Sequence, residues 1–203
     1  MAEEKGTGKP PNTGCQVLRK FSFSCASRTS VLKCAPSSGE IHGRTDSDAM
    51  DLGDILSKEQ IITDLRATNR WEAIDELINN LVQTGKIKPE NQEAIAAVVK
   101  KRESSMSTGI GFGIGIPHAS TDLILEVVGA LGRSKSGVNF DALDNQPVNL
   151  VMLFLVPQGQ FQKHLHTLAN IAKLLHRADF RQSLEQASDA GAMLQIIRDQ
   201  GAK

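Results

Sequence analysis

The apolar run Val148–Val156 restricts the fold of this chain more than any other stretch. Eight of its nine residues are apolar, and the exception is Asn149. A strand with one exposed face alternates apolar with polar residues, whereas a strand buried on both faces is apolar almost throughout. The run therefore predicts a central strand that is covered on both sides. The segments Gln60–Leu65 and Leu125–Leu131 predict two further strands.

Helical periodicity and helix-end signals predict the rest of the secondary structure. Asn69 followed by Glu72 indicates the start of a helix, and Gly85 indicates its end. A second helix is expected to begin at Pro89. Four of its apolar residues are predicted to point inward: Ala94, Ile95, Val98 and Val99. Further helices are predicted at about 161–176, 178–187 and 189–199, and a short helical turn at 51–56.

The glycine-rich run Ser107–His118 is the second informative stretch. Its glycines alternate with apolar residues, at Gly109, Gly111, Gly113 and Gly115. Alternation predicts an extended segment, and glycine at every second position lets a backbone, a ligand or a protein approach one face closely. Pro117 stiffens the exit, so the His118 imidazole is presented from a rigid backbone. The alternative interpretation is a tight loop before a histidine without chemistry.

Spacing excludes two nucleotide-binding interpretations of this run. The dinucleotide pattern G-x-G-x-x-G requires glycine where the chain has Ile114, Ile116 and His118, and the phosphate-loop sequence Gly-Lys-Ser/Thr is absent. Arg102 lies a short loop before the run. It ends a basic stretch that suits a solvated helix terminus, but from there it could also reach an anion at His118.

Two histidines on the predicted helix 161–176 differ in their surroundings. His164 belongs to the apolar stripe, whose members are Phe161, Leu165, Leu168, Ala172 and Leu175. His166 shares a polar face with Asn170 and Lys173. Residues two apart on a helix point about 200° apart, so this pair cannot hold one metal ion. A histidine on an apolar stripe is otherwise a common core residue.

Composition indicates a soluble globular protein with a tail. The 203 residues carry a formal net charge of zero, which offers no electrostatic argument for nucleic acid or an anionic membrane, and no run approaches the length of a membrane span. Residues 1–49 are rich in Gly, Pro, Ser and Thr and are predicted to be a disordered tail, with the globular domain at 50–203. All three cysteines lie in this tail without a zinc spacing, which favours a reducing cytoplasm.

Several separated motifs together resemble the enzyme IIA domain of the mannitol/fructose type, from the bacterial phosphoenolpyruvate-dependent phosphotransferase system. They are Arg102-Glu103, Ser107–His118, Val138–Val148, Leu153–Pro157 and His164–Ala172. The resemblance covers about 50–200 and is nearest to the nitrogen-regulatory branch. It implies a single α/β domain with a mixed, mostly parallel sheet flanked by helices. It also implies that His118 accepts a phosphoryl group, that His164 stabilises it and that Arg102 supplies a counter-charge, with no metal or cofactor.

The resemblance implies a histidine-containing phosphocarrier protein as the donor, and a IIB domain or regulated target proteins as further partners. Neither nucleic acid binding nor membrane insertion is expected. Two alternatives remain: a sugar-specific component that passes phosphate to a IIB domain, and a regulatory binding module that is not phosphorylated. Met50 stands directly before the point where such domains begin. We therefore expect the tail to be dispensable and translation to start at either Met1 or Met50.

Overall fold

The computed structural model describes residues 52–201, except for the side chain of Lys163. The predicted tail at 1–49 and its boundary with the domain lie outside the described residues, so both remain predictions. Six α-helices occur in the described part: α1 (Leu52–Ile55), α2 (Arg70–Gln83), α3 (Gln92–Ser105), α4 (Phe161–His176), α5 (Ala178–Gln186) and α6 (Ala190–Gly201). None of them combines the length and the apolar character that crossing a membrane requires.

Six strands form one mixed sheet. They are β1 (Ile61–Ile62), β2 (Gly109–Gly111), β3 (Ile114–Gly115), β4 (His118–Thr121), β5 (Val128–Val138) and β6 (Val148–Pro157). The order is β1-β5-β6-β3-β2, and β4 also pairs with β6. Among these described strands, β6 is parallel to β3 and β4, β1 is parallel to β5, and β5–β6 and β2–β3 are antiparallel. The mixed, mostly parallel sheet is thus confirmed.

The central strand β6 separates two apolar cores, as its composition predicts. Val151, Leu153 and Leu155 face the core that α2 and α3 cover. Their alternating neighbours face the core that α1, α4, α5 and α6 cover; these are Leu150, Met152, Phe154 and Val156. All seven side chains are inaccessible to solvent. Successive residues of a strand point to opposite faces, so a strand of this composition requires both helical layers.

The helix signals locate α2 and α3 correctly but overestimate the apolar face of α3. The Asn69 side chain accepts hydrogen bonds from the N–H groups of Trp71 and Glu72, which caps α2. On α3, Ile95 and Val99 are buried, whereas Ala94 and Val98 are exposed. The buried stripe of α3 continues at four-residue spacing to Glu103. The prediction missed Glu103 because a charged residue is not expected in an apolar core.

Two predicted strands have bounds that differ from those expected. The strand that begins at Gln60 pairs with β5 only at Ile61 and Ile62. Beyond them the buried Arg133 donates a hydrogen bond from Nε to the Thr63 carbonyl at 3.0 Å. The strand expected from Leu125 begins at Val128, and Leu125 itself lies in the preceding connection, 95% exposed.

Candidate functional site

The glycine run folds into a tight hairpin rather than one extended segment. Strands β2 and β3 pair antiparallel, and the chain reverses through Gly111, the last residue of β2, and the two turn residues Phe112 and Gly113. All three have positive φ, at 91°, 56° and 76°. L-residues with a Cβ rarely adopt this region, so glycine on both sides of Phe112 makes the turn possible. The alternation that predicted extension therefore includes two glycines that reverse the chain.

The other two glycines allow a close approach within the same chain. A Cβ on Gly109 would lie 2.8 Å from the Cα of Ala142, and a Cβ on Gly115 would lie 3.2 Å from the ring of Phe140. Both neighbours belong to the segment that precedes β6. The sequence predicted that a backbone, a ligand or a protein could approach this face closely, and at these two positions the neighbour is this chain's own segment. The packing holds the hairpin, and with it the residues that follow.

His118 is the first residue of β4 and pairs with Phe154 of β6. Its side chain is half-buried, and its Nδ1 lies 2.9 Å from the carbonyl oxygen of Ile116. Because a carbonyl oxygen can only accept, Nδ1 carries the proton in this hydrogen bond. In the neutral ring, the lone pair is then on Nε2. The hydrogen bond therefore both orients the imidazole and selects the nitrogen that can act as a nucleophile.

The first residue of α4 covers this imidazole. The Phe161 and His118 rings are nearly parallel, with 17° between their planes and 6.2 Å between their centroids. Burial lowers the pKa of His118 below its ordinary value, and the hydrogen bond to Ile116 opposes that shift. The positive charge of Arg102 lowers the pKa further, while the negative charge of Glu103 raises it. The net lowering keeps the ring neutral near pH 7.

His164 lies one helical turn beyond Phe161 on α4 and is only 5% exposed. It lines a cavity of about 310 Å³ whose wall also includes Gln160, Asp54, Gln60, Lys86 and the residues 125–128. The buried stripe of α4 consists of His164, Thr167, Ile171 and Leu175. Leu165, which the sequence places on that stripe, is 40% exposed. His164 therefore points into the protein interior, although the buried face of α4 includes other residues than the predicted stripe.

His166 lies on the outer face of α4, as the helical spacing predicts. It is exposed, and so are Asn170 and Lys173. The buried His164 and the exposed His166 thus point away from each other and cannot share an ion. Within residues 52–201, no group of three or more His, Cys, Asp or Glu side chains is arranged to hold a metal.

The end of α3 contributes two opposite charges beside His118. The half-buried Arg102 donates a hydrogen bond from Nη1 to the Met106 carbonyl at 3.0 Å, and its charge acts on His118. Glu103 is 1% exposed and accepts hydrogen bonds from the backbone N–H and the hydroxyl of Thr108. Sequence reasoning gave Glu103 no role. The available signal was its four-residue spacing from Ile95 and Val99, which placed a carboxylate on the inner face of α3.

Comparison with protein families gives one match over most of the described residues. The family described as "Phosphoenolpyruvate-dependent sugar phosphotransferase system, EIIA 2" matches residues 54–200. This range contains His118, His164 and Arg102.

Two curated relatives differ in their names and in their lengths. The PTS system fructose-specific EIIABC component of Bacillus subtilis is 35% identical over 148 residues, which are 73% of this chain and 23% of that protein. A nitrogen regulatory protein of Bradyrhizobium diazoefficiens is 30% identical over 148 residues, covering 73% of this chain and 95% of that protein. The chain thus spans about a quarter of the first relative and nearly all of the second.

Among solved structures, the nitrogen regulatory protein IIA-Ntr of Neisseria meningitidis has the same fold. Its TM-score is 0.65 at 28% sequence identity, and the match covers 71% of this chain and 97% of that one.

Proposed function

The chain belongs to the EIIA 2 family of the phosphoenolpyruvate-dependent sugar phosphotransferase system, and we propose that it accepts a phosphoryl group on Nε2 of His118. The observation that carries this proposal is the hydrogen bond from His118 Nδ1 to Ile116 O at 2.9 Å. It leaves the lone pair on Nε2 of a half-buried ring that is held in a fixed orientation. A neutral imidazole is a good nucleophile, and the lowered pKa of His118 increases the neutral fraction.

The donor in this proposal is a histidine-containing phosphocarrier protein. Nε2 of His118 forms a bond to phosphorus on the side opposite the donor nitrogen, while the N–P bond of the donor breaks and its electron pair returns to the donor imidazole. Such a transfer has a loose transition state, in which orientation and charge stabilisation matter more than acid–base chemistry. The chain needs no metal or nucleotide for this step, because the donor brings an activated phosphoryl group.

His164 and Arg102 are the residues proposed to stabilise the phosphoryl oxygens. Phe161 contacts the His118 ring, and His164 follows it by one helical turn on the same side of α4. Arg102 approaches from α3, and its charge already acts on His118. A fixed guanidinium and an imidazole donor placed where charge accumulates lower the barrier to transfer, because they need no reorganisation during the reaction.

The further fate of the phosphoryl group is proposed to be regulatory, through target proteins in the cytoplasm. The two nitrogen regulatory proteins described above are matched over 95% and 97% of their lengths, which supports this role. The alternative is transfer to a IIB domain of a permease, which the match to a fructose-specific EIIABC component supports. If the wild type takes up no phosphoryl group in the experiment below, the chain is instead a binding module that is not phosphorylated.

The test is to incubate the purified full chain with phosphoenolpyruvate, enzyme I and the phosphocarrier, and to measure its intact mass. One phosphoryl group is expected on the wild type and none on His118→Ala. The bond should be acid-labile and stable in alkali, as expected of a phosphohistidine. His166→Ala is the matched control, since it removes an exposed imidazole of α4. Normal phosphorylation of His118→Ala, or no phosphorylation of the wild type, would contradict the proposal.

A further inference from the structure

Glu103 is a buried carboxylate to which the proposed transfer assigns no part. Its side chain is 1% exposed, and it forms no ion pair with any side chain that the structure describes. Burial of an unpaired carboxylate costs free energy even when hydrogen bonds satisfy its oxygens. A glutamine would also present an acceptor oxygen to Thr108, and it would do so without a charge. The charge itself therefore requires an explanation.

A chain of hydrogen bonds connects this carboxylate to the imidazole of His118. The N–H of Thr108 donates to Oε1 of Glu103 at 3.0 Å, and its hydroxyl donates to Oε2 at 2.6 Å. The carbonyl of Thr108 accepts from the N–H of Ile116 at 3.0 Å. The carbonyl of Ile116 in turn accepts from Nδ1 of His118 at 2.9 Å. Thr108, just before β2, and Ile116, just after β3, thus connect α3 to the His118 ring.

We propose that Glu103 is a positioning residue for His118, which it holds through Thr108 and Ile116, and that it is the counter-charge for the phosphorylated ring. This inference rests on the proposed function. When Nε2 binds phosphorus and Nδ1 keeps its proton at the Ile116 carbonyl, the His118 ring becomes positively charged. No proton has to leave His118 in this step, and the donor nitrogen takes the electron pair of the broken bond. The negative charge of Glu103 stabilises the ring cation that results.

Arg102 and Glu103 then stabilise opposite charges of the phosphohistidine. The guanidinium of Arg102 acts on the anionic phosphoryl oxygens, and the carboxylate of Glu103 acts on the cationic ring. Their opposite effects on the pKa of His118 agree with this division, since Arg102 lowers it and Glu103 raises it. His164, on α4, is the other titratable residue that we place at the site. Arg102 and Glu103 are adjacent at the end of α3, and both charges act on His118.

The first test measures the pKa of His118 by NMR in the unphosphorylated full chain. Glu103→Gln keeps the size of the side chain and an acceptor for Thr108, but removes the charge, so the pKa of His118 should fall further. Arg102→Gln removes the neighbouring positive charge, so the pKa should rise. Glu93→Gln is the control, because Glu93 is exposed in the first turn of α3. An unchanged pKa in Glu103→Gln would overturn the inference.

The second test measures the rate of phosphoryl transfer from the phosphocarrier. Glu103→Gln should be slower by about tenfold, the factor that corresponds to one pKa unit of charge stabilisation, and Glu93→Gln should equal the wild type. If neither the wild type nor any variant is phosphorylated, the proposed function is wrong. The pKa of His118 still decides whether the charge of Glu103 acts on the ring. If Glu103→Gln is phosphorylated at the wild-type rate, Glu103 is not the counter-charge.

A measurement on the wild type keeps the inference testable if Glu103→Gln fails to fold. In the ¹⁵N spectrum of histidine-labelled phosphorylated protein, Nε2 of His118 should carry phosphorus, and Nδ1 should remain protonated at neutral pH. Thr108→Ser, which preserves both donors to Glu103, should reproduce this spectrum. Loss of the Nδ1 proton on phosphorylation would overturn the proposed counter-charge, since the ring would then be neutral.

Discussion

At the scale of single residues, the His118 ring is held on two sides. Ile116 O fixes Nδ1, and the Phe161 ring lies nearly parallel to the imidazole. The two contacts act in opposite directions on the charge of the ring. The hydrogen bond favours the protonated form, whereas burial disfavours it and is the larger effect. Substitution of Phe161 can reduce the burial of the His118 ring without changing a residue proposed to contact the phosphoryl group.

Phe161→Ala is expected to raise the pKa of His118 toward its ordinary value of about 6.5, because water then reaches the exposed ring face. NMR titration of the unphosphorylated protein measures this pKa. Phe161→Leu retains an apolar cover and should leave the pKa closer to that of the wild type. Equal pKa values in all three proteins would show that Phe161 does not contribute to the burial of His118.

His164 and His166 provide a comparison between the two faces of α4. Replacement of the buried His164 by Gln should slow phosphoryl transfer by about 10²-fold if it stabilises charge in the transition state. The same replacement at the exposed His166 should leave the rate unchanged. Rapid-quench measurements of transfer from the phosphocarrier determine both rates. Similar rates for the two variants would exclude a special role of His164.

At the scale of elements, the β2–β3 hairpin connects α3 to the histidine. Its body packs against the segment before β6, where Gly109 leaves no room for a Cβ beside Ala142. Its turn is held by Asp144, whose carboxylate accepts the N–H of Phe112 at 2.8 Å. Because Thr108 and Ile116 also belong to this unit, a shift of the hairpin moves the His118 ring.

Gly109→Ala is therefore expected to destabilise the protein by about 1–3 kcal/mol, the usual cost of overpacking, and to slow phosphoryl transfer as well. Gly85→Ala is the matched control. Gly85 has a φ of 72° and open space around it, so alanine there should cost about 1–2 kcal/mol of backbone strain without changing the rate. Urea unfolding and the transfer assay measure the two effects. A normal transfer rate in Gly109→Ala would mean that the hairpin does not position His118.

At the scale of the whole described unit, the proposed site combines residues from both helical layers. Arg102 and Glu103 belong to α3, which covers one face of the sheet, while Phe161 and His164 belong to α4, which covers the other. His118 lies in the sheet between them, on β4. The proposed site therefore requires both cores, and protonation of His118 is coupled to global stability.

The coupling predicts how stability depends on pH. The folded-state pKa of His118 lies below its unfolded value. Between these two pKa values the unfolded chain binds a proton that the folded chain does not, so the contribution of His118 is fully present above about pH 6.5. It is lost as the pH falls through the folded-state pKa. The free energy of unfolding of the wild type should thus decrease more steeply with acidification than that of His118→Gln. Parallel urea titrations measure this difference, and coincident pH profiles would contradict the prediction.

Local patterns in the sequence determined most of the helices and the central strand. The apolar run Val148–Val156 predicted a strand buried on both faces, because side chains alternate along a strand and a two-sided burial leaves no polar positions. Helical spacing separated His164 from His166, since residues two apart on a helix point in different directions. Resemblance to a family then singled out His118, which the structure places between α3 and α4.

Only the tertiary structure decided how these residues meet. The contact of Gly109 with Ala142 and that of Phe161 with His118 join residues far apart in the chain, and no periodicity contains such pairs. The residue type of Glu103 did not predict its burial. A charged residue is buried only where the fold supplies partners for its charged group, and here these are the two hydrogen-bond donors of Thr108. Periodicity reports which way a side chain points within its own element, whereas contacts between elements depend on how those elements pack.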